Sequence, residues 1–468
     1  MSVLTDPQQW ALAQFGHAEL GDKRRTKRLV KISTDIASSA GKSLVKASQD
    51  DASIEGAYRF IRNDYISVEE ISKAGFSATE KIAKQRELVL SLEDTTGLSF
   101  THSVCNELGN VNSAGQSKFT SKGRTLYSHS SLLLDAHTEQ VLGLAGQYNW
   151  HREDKVDKEQ NRDKEDKESY KWQRTTEELN QQFTNTNNII HVCDRESDIY
   201  EYIDHQLSTE QRFIVRASHD RKLISPDCRL HSLSEVVNPI SCYTINIPQR
   251  GGRKARKAKI ELSYCEVTIK KPNDVTGSKT LTLNVVHCQE VSGDDKNEKL
   301  SWYLYTNEAI ENVEQARQLV RYYELRWRIE EFHKVWKSDG TQVEKLRMQH
   351  KANLERMAVI LAFIAIRLMQ LKELALNIEE AKKKSCETFF NQQEWKILWL
   401  KIEKKPLPET VPSLYWAYYA LAKLGRWYDS KRTGKVGMKA IWSGWQELIV
   451  MLEGVRIGKE LEQALIAD

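Results

Sequence analysis

The chain has 468 residues, more than one typical domain holds, and the usual domain size divides it into roughly two to four. Its hydrophobic share of 40% and charged share of 29% are those of an ordinary globular protein, and its only long apolar run, Met357 to Ile366, stops at Arg367, short of the roughly 20 apolar residues a bilayer span needs. The net charge is only +4, but the 69 basic and 65 acidic residues are unevenly spread, so a polyanionic partner has to be sought on local basic faces.

The opening residues, MSVLTDPQQWALAQF, carry neither the basic region nor the apolar core of a secretory signal, which places the protein in the cytoplasm. Short helices are expected as far as residue 70. Asp6 before Pro7 reads as a cap with proline at the first helical position, and Asp22 caps a second helix running to about Ile36. At about 100° per residue, that helix puts Leu29, Ile32 and Ile36 on one face and Lys23, Arg24, Lys27 and Lys31 on the other. The basic face is either solvated or a DNA contact.

From Leu88 the pattern turns to strands, with LVLSLED, YSHSSLLLDA and QVLGLAGQY arranged like an antiparallel meander. The charge-dense stretch from His151 to Glu168 reads as an exposed loop. A helix, the buried-looking strand NIIHVCD, a second helix and the strand RFIVRAS complete an α/β domain with a mixed sheet. Between about Leu223 and Thr306 nearly every segment is strand-like, an inserted β subdomain that carries Arg250, Arg253, Lys254, Arg256, Lys257 and Lys259 on a basic hairpin. Beyond Glu311 the chain is mainly helical, interrupted near Pro406 and Pro408. Seven cysteines, widely spread and without a C-x-x-C pair, argue against a disulfide framework or a structural zinc site.

Asp94 closes LVLSLED and Asp194 closes NIIHVCD, so each side chain belongs at the edge of a sheet. Either alone is as readily a turn former, and two in one α/β domain are more telling. The third signal is the helix RYYELRWRIEEFHKVWK. On a regular helix its Tyr323, Arg326, Glu330 and Lys337 fall in a stripe roughly 60° wide, with Lys334 beside it. A surface helix uses such spacing for Glu–Arg support pairs worth a few tenths of a kcal/mol. A stripe mixing a carboxylate, cations and a phenol suits holding a metal and gripping phosphates instead. Magnesium prefers oxygen ligands and takes one or two carboxylates per ion. Three carboxylates from separate elements can therefore bind two ions about 3.5 to 4 Å apart. Spacing alone does not show that Asp94, Asp194 and Glu330 meet.

At these residues the sequence resembles the DDE transposases of the transposon-five type, in the insertion-sequence-four family. EDTT around Asp94, CDRESDIY around Asp194 and YELRWRIEEFHKVWK, with its Y-x2-R-x3-E-x6-K spacing, carry the resemblance. GDKRRTKRLV, EGAYRFIRN and WYDSKRTG extend it over nearly the whole chain. It implies an α/β, ribonuclease-H-like mixed-sheet catalytic core (71–375) with a β insertion at about 223–306. Helical domains flank that core, a DNA-binding one at 1–70 and a dimerising one at 376–468. Asp94, Asp194 and Glu330 take the metal-ligand roles, for two Mg2+ ions that Mn2+ can replace. Tyr323, Arg326 and Lys337 hold the phosphate and the displaced base, and Trp302 is the residue on which a flipped base stacks. Arg216 and Arg28 match DNA-contacting arginines; on the signature helix Lys334 is a further DNA contact, and His333 either reaches DNA or makes a helix-side hydrogen bond. Ser218 departs from the pattern, standing where relatives carry a lysine. The implied partners are double-stranded DNA, as element ends and target, and a second copy in the DNA-bound complex, with no membrane.

Some signals point elsewhere. His191 and Cys193 could suggest a metal but lack further ligands. Trp302 without the resemblance is a core aromatic of an alternating strand, and Trp416, Trp427, Trp442 and Trp445 suit core or dimer contacts better than DNA stacking. No methionine lies between Met1 and Met348, so a methionine-initiated form lacking only the N-terminal helices is not expected. Two rival readings stay open: a non-catalytic regulator that occupies DNA ends, and a nuclease that cuts without joining.

Overall fold

The structure is a computed structural model that describes residues 6–39, 42–48, 50–108, 124–152, 165, 167–183, 187–247, 255–291, 299–428, 430 and 436–467. Most of the 151–168 loop, the 248–254 part of the basic hairpin and much of the WYDSKRTG motif lie outside the described residues. Five helices come first: α1 (Pro7–Phe15), α2 (Lys23–Ser38), α3 (Leu44–Ala47), α4 (Asp51–Ile61) and α5 (Val68–Ala83). Both expected caps are present, with Asp6 accepting from the Gln9 N–H and Asp22 from the Arg24 N–H. Leu29, Ile32 and Ile36 are buried as expected, so α2 docks on the core through its apolar face.

Next come β1 (Val89–Phe100), β2 (Arg124–Asp135), β3 (Val141–Trp150), α6 (Tyr170–Gln182), β4 (Ile189–Cys193), α7 (Tyr200–Ser208) and β5 (Arg212–Arg216). The insertion holds β6 (Leu223–Ser225), α8 (Leu233–Val236), β7 (Ser241–Ile247), β8 (Arg256–Lys270), β9 (Thr280–Glu290) and β10 (Ser301–Thr306). One ten-stranded sheet runs β3-β2-β1-β4-β5-β10-β9-β8-β6, with β7 also paired to β8. Strand β1 is antiparallel to β2 and parallel to β4, and β4 is parallel to β5, giving a mixed half of the sheet. The insertion does not stand apart: β10 pairs antiparallel with β5 and carries the sheet straight into it.

The helical remainder is α9 (Val313–Leu325), α10 (Trp327–Lys334), α11 (Lys351–Leu376), α12 (Ile378–Lys383), α13 (Gln392–Glu403), α14 (Leu414–Leu424) and α15 (Met438–Ala467). The apolar run Met357–Ile366 lies in α11 and is buried throughout, packed against α2, α4, α5 and β3. A helix apolar on all sides belongs in a core or a bilayer. Among the described residues no helix is long and apolar enough to cross a membrane. Trp427 and Trp442 are buried among the last helices, with Trp416 and Trp445 packed half-buried beside them.

Two sequence expectations need correction. Asp94 does not end its strand, because β1 pairs with β2 all the way to Phe100–Arg124, whereas its pairing with β4 stops at Leu92–Val192. Asp94 therefore lies where β1 loses one neighbour. The signature helix is not one regular helix either: α9 ends at Leu325, α10 starts at Trp327, and Val335–Asp339 form a π-helical turn. The joint at Arg326 is built of i to i+3 bonds, Arg326 N–H to Tyr323 O at 3.0 Å and Ile329 N–H to Arg326 O at 3.1 Å. The single stripe drawn for a regular helix is thus broken on both sides of Glu330.

Close packing of α5 on α11 leads to a test. A Cβ added to Gly75 would lie 2.1 Å from the Phe363 ring. Gly75→Ala is expected to lower stability by about 1–3 kcal/mol through overpacking, and Phe363→Leu in the same chain to restore part of it. Equal melting temperatures for Gly75→Ala and the parent would contradict that packing.

Candidate active site

Three elements deliver the carboxylates. Asp94 comes from β1, Asp194 from the residue after β4, and Glu330 from α10, which packs on β1. Adjacent strands lie about 4.8 Å apart, and Asp94 and Asp194 each stand two residues beyond the paired Leu92 and Val192, on the same face of the sheet. Arg326 links the group. Its Nη1 is 3.7 Å from Asp94 Oδ2 and its Nη2 donates to Glu330 Oε1 at 2.7 Å. Asp194 spends one oxygen on the Glu196 N–H at 2.8 Å, capping the short turn Arg195–Ser197. Among the described residues no three His, Cys, Asp or Glu side chains are placed to share one ion as they stand.

The electrostatics follow from this crowding. Burial, with a smaller push from Asp194 and Glu330, raises the Asp94 carboxyl to about 7 despite the neighbouring Arg326. Burial also raises Asp194. Burial alone would lower the Arg326 guanidinium, but Tyr323, Asp94, Asp194 and Glu330 outweigh it, and its proton is held more tightly than usual. Burial is thus the main reason this carboxyl is reluctant to ionise, and carboxylate oxygens of this kind are donors that Mg2+ or Mn2+ takes.

The other expected residues fall into two groups. Tyr323, Trp302 and Arg216 are together: the Tyr323 and Trp302 rings meet edge to face at 5.3 Å, and the Arg216 guanidinium lies 5.7 Å over Trp302. Tyr323 is buried, whereas Trp302 and Arg216 are half-buried. Lys337 reaches back to β1, donating to Gly97 O at 2.6 Å, with Glu344 at 3.6 Å. Lys334 is exposed. His333 is buried and faces inward, its Nδ1 3.7 Å from Asp94 Oδ2, and burial takes its pKa down to about 3. Arg28 is remote, its guanidinium laid against Gly56 of α4.

Sequence reasoning missed the support under Asp94. Glu93, fully buried on the opposite face of β1, accepts from Ser91 Oγ at 3.0 Å, meets His191 Nδ1 at 2.6 Å and lies 3.7 Å from His129 Nε2. Burial opposes its ionisation, but His129 and His191 outweigh burial and carry it down to about 2. His191 is therefore engaged with Glu93, and Cys193 with the Tyr202 hydroxyl at 3.6 Å. Period-2 alternation from Asp94 was the available signal, since it sends Glu93 to the other face. Also missed were the ion pairs that anchor α10 to α11, Arg328 with Glu373 and Glu331 with Lys372.

Family models match three stretches of the chain. Residues 7–66 match the transposase DNA-binding family, 146–368 the transposase DDE domain, and 361–464 the dimerisation domain of Tn5 transposase. The DDE match includes Asp194 and Glu330 and begins after Asp94. A site of acidic side chains on a mixed sheet, between helical parts with these matches, defines a DDE-type enzyme fold. The chain belongs to the Tn5-type DDE transposases. Among solved structures it is similar to piggyBac transposase in a synaptic complex with hairpin DNA, at 11% identity and a TM-score of 0.34, covering 78% of this chain. It spans 64% of the length of that piggyBac chain.

The raised Asp94 gives a pH test. A carboxyl held at about 7 in the folded state, against 3.8 ordinarily, costs stability wherever it must ionise. The cost is absent below the ordinary value, grows as pH rises and is complete above about 7. In metal-free buffer Asp94→Asn is expected to melt a few degrees higher than the parent near pH 8, the gap shrinking toward pH 5. Identical melting curves near pH 8 would show that this carboxyl is not strained.

Proposed function

We propose that the protein is a cut-and-paste DNA transposase that binds the ends of its own element, hydrolyses phosphodiester bonds there and joins the freed 3′-hydroxyls to target DNA. The observation behind this reading is that the Arg326 guanidinium lies 3.7 Å from Asp94 and donates to Glu330 at 2.7 Å, while the charge of Asp194 also acts on it. Divalent ions, two Mg2+ or Mn2+ per site, would activate the attacking oxygen and stabilise the leaving one. Asp94, Asp194 and Glu330 would hold them once Arg326 turns toward the DNA phosphate.

In this reading Tyr323, Arg326, Lys334 and Lys337 grip the backbone beside the cut. Trp302, with Arg216 above it, offers a ring to a base taken out of the duplex, where stacking is worth about 1–3 kcal/mol. His333, walled in beside Asp94, steadies that carboxylate rather than reaching DNA. The first strand is cut by water, its 3′-hydroxyl closes a hairpin on the opposite strand, a second water opens it, and the end joins the target. Residues 1–70, with Arg28 and the basic face of α2, bind the ends; 71–375 perform the chemistry; 376–468 join two copies on DNA in the cytoplasm.

Purified protein incubated with duplexes carrying candidate ends is expected to give nicks and then hairpins only when Mg2+ is present. Asp94→Ala should still shift the duplexes in a gel while cleavage falls below detection. Gel shifts with no cut product from the parent chain would make it a regulator, and cutting without joining would make it a nuclease. A folded Asp94→Ala chain that no longer bound ends would contradict the role given to Asp94.

A further inference from the structure

Strand β4 pairs in parallel with β5 only as far as Cys193–Val215. Asp194 and Arg216 are the next residues on each side, so no ladder bond fixes one against the other. One buried carboxylate lies across this gap. Asp198 Oδ2 accepts from the Ser218 N–H at 2.7 Å and the His219 N–H at 2.8 Å, and Oδ1 accepts from Arg221 Nη2 at 2.7 Å and Nε at 3.1 Å. Arg221 also donates to the Asp198 carbonyl at 2.8 Å. The Asp198 side chain is fully buried and that of Arg221 is 10% exposed.

We propose that Asp198 is a positioning residue: its carboxylate takes the place of the missing ladder and sets Arg216, and with it Trp302, at a fixed distance from Asp194. The inference rests on the catalytic reading above and adds a residue to it. Both arms of the tie are short. On one side the turn Arg195–Ser197 runs directly from Asp194 to Asp198. On the other, Ala217 donates to Tyr303 O at 2.8 Å, so the two backbone donors that follow it are held between β10 and Asp198. Ser218 belongs to the tie as well, its hydroxyl reaching Arg195 O at 3.1 Å and Asp198 Oδ2 at 3.4 Å. Where the resemblance leads one to expect a lysine, this serine side chain instead binds turn to turn. A buried ion pair is weak evidence for stability but strong geometry, because removing one partner strands the other.

The test compares Asp198→Asn, Arg216→Ala and the double variant with the parent, using end duplexes and Mg2+. Asp198→Asn is expected to speed amide exchange about tenfold within 194–199 and 216–222 while leaving α1–α4 and α13–α15 as they were. End binding should persist, and single-turnover nicking should fall on the order of 10²-fold, the loss expected of a misplaced group. Arg216→Ala should then cost far less in the Asp198→Asn background than in the parent. Unchanged exchange in the two segments, exchange raised evenly over the whole chain, or fully additive losses would each overturn the proposal. If the parent chain cut no DNA, the catalytic reading would fall, and the exchange data would still decide whether Asp198 makes the tie.

Discussion

Like charges gathered in a half-buried space are the constraint on which the structure turns. At an effective dielectric of 20, two unit charges 4 Å apart repel by about 4 kcal/mol. The chain tolerates three such carboxylates by three means. Arg326 lies between Asp94 and Glu330. Asp194 gives one oxygen to a backbone N–H. Asp94, the most enclosed, keeps its proton into the neutral range. A surface with no further use for the acids would gain stability by losing one of them.

Strain of that kind persists only in a frame that does not yield. Helix α10 carries Glu330 and is two turns long, too short to hold an angle alone. Residues on either side of Glu330 fasten it: Arg328 to Glu373 and Glu331 to Lys372, both on α11. Glu373 also accepts the Val141 N–H at 3.0 Å, so the same side chain ties α10 to the edge strand β3. Helix α11 is in turn buried on nearly every side. Beneath Asp94, Glu93 joins β1 to His191 of β4 and His129 of β2. The acids are thus aimed from above by a clamped helix and from below by three cross-linked strands.

Local signals in the sequence were read correctly where local physics decides. Asp6 and Asp22 cap helices because the first turn leaves N–H groups without partners, whatever the rest of the chain does. The β runs and the strand-rich insertion were legible from alternation. The misreadings share one cause, which is that a distant segment settles the outcome. Strand β1 continues through Thr95 to Phe100 because β2 is there to pair with it, although the apolar run LVLSLED closes at Asp94. The break at Arg326 and the π-helical turn after Lys334 are invisible to a period of 3.6. Glu93 and His191 lie far apart in sequence, and neither pattern nor propensity announces that they meet.

The sheet explains why the site is where it is. Strand β4 is central, and both of its parallel pairings end early, at Leu92–Val192 on one side and Cys193–Val215 on the other. The outer neighbours do not stop there: β2 stays with β1 to Phe100, and Arg216 still pairs with Leu304 of β10. The middle of the sheet therefore opens at its carboxyl end while both flanks remain zipped. Ligand sites in open α/β sheets form in such a crevice, past the ends of the parallel strands. Asp94, Asp194 and Arg216 are the residues lining that opening, and α10 closes it from one face. A longer β4 would fill the crevice with its own ladder, so the brevity of this one strand creates the opening.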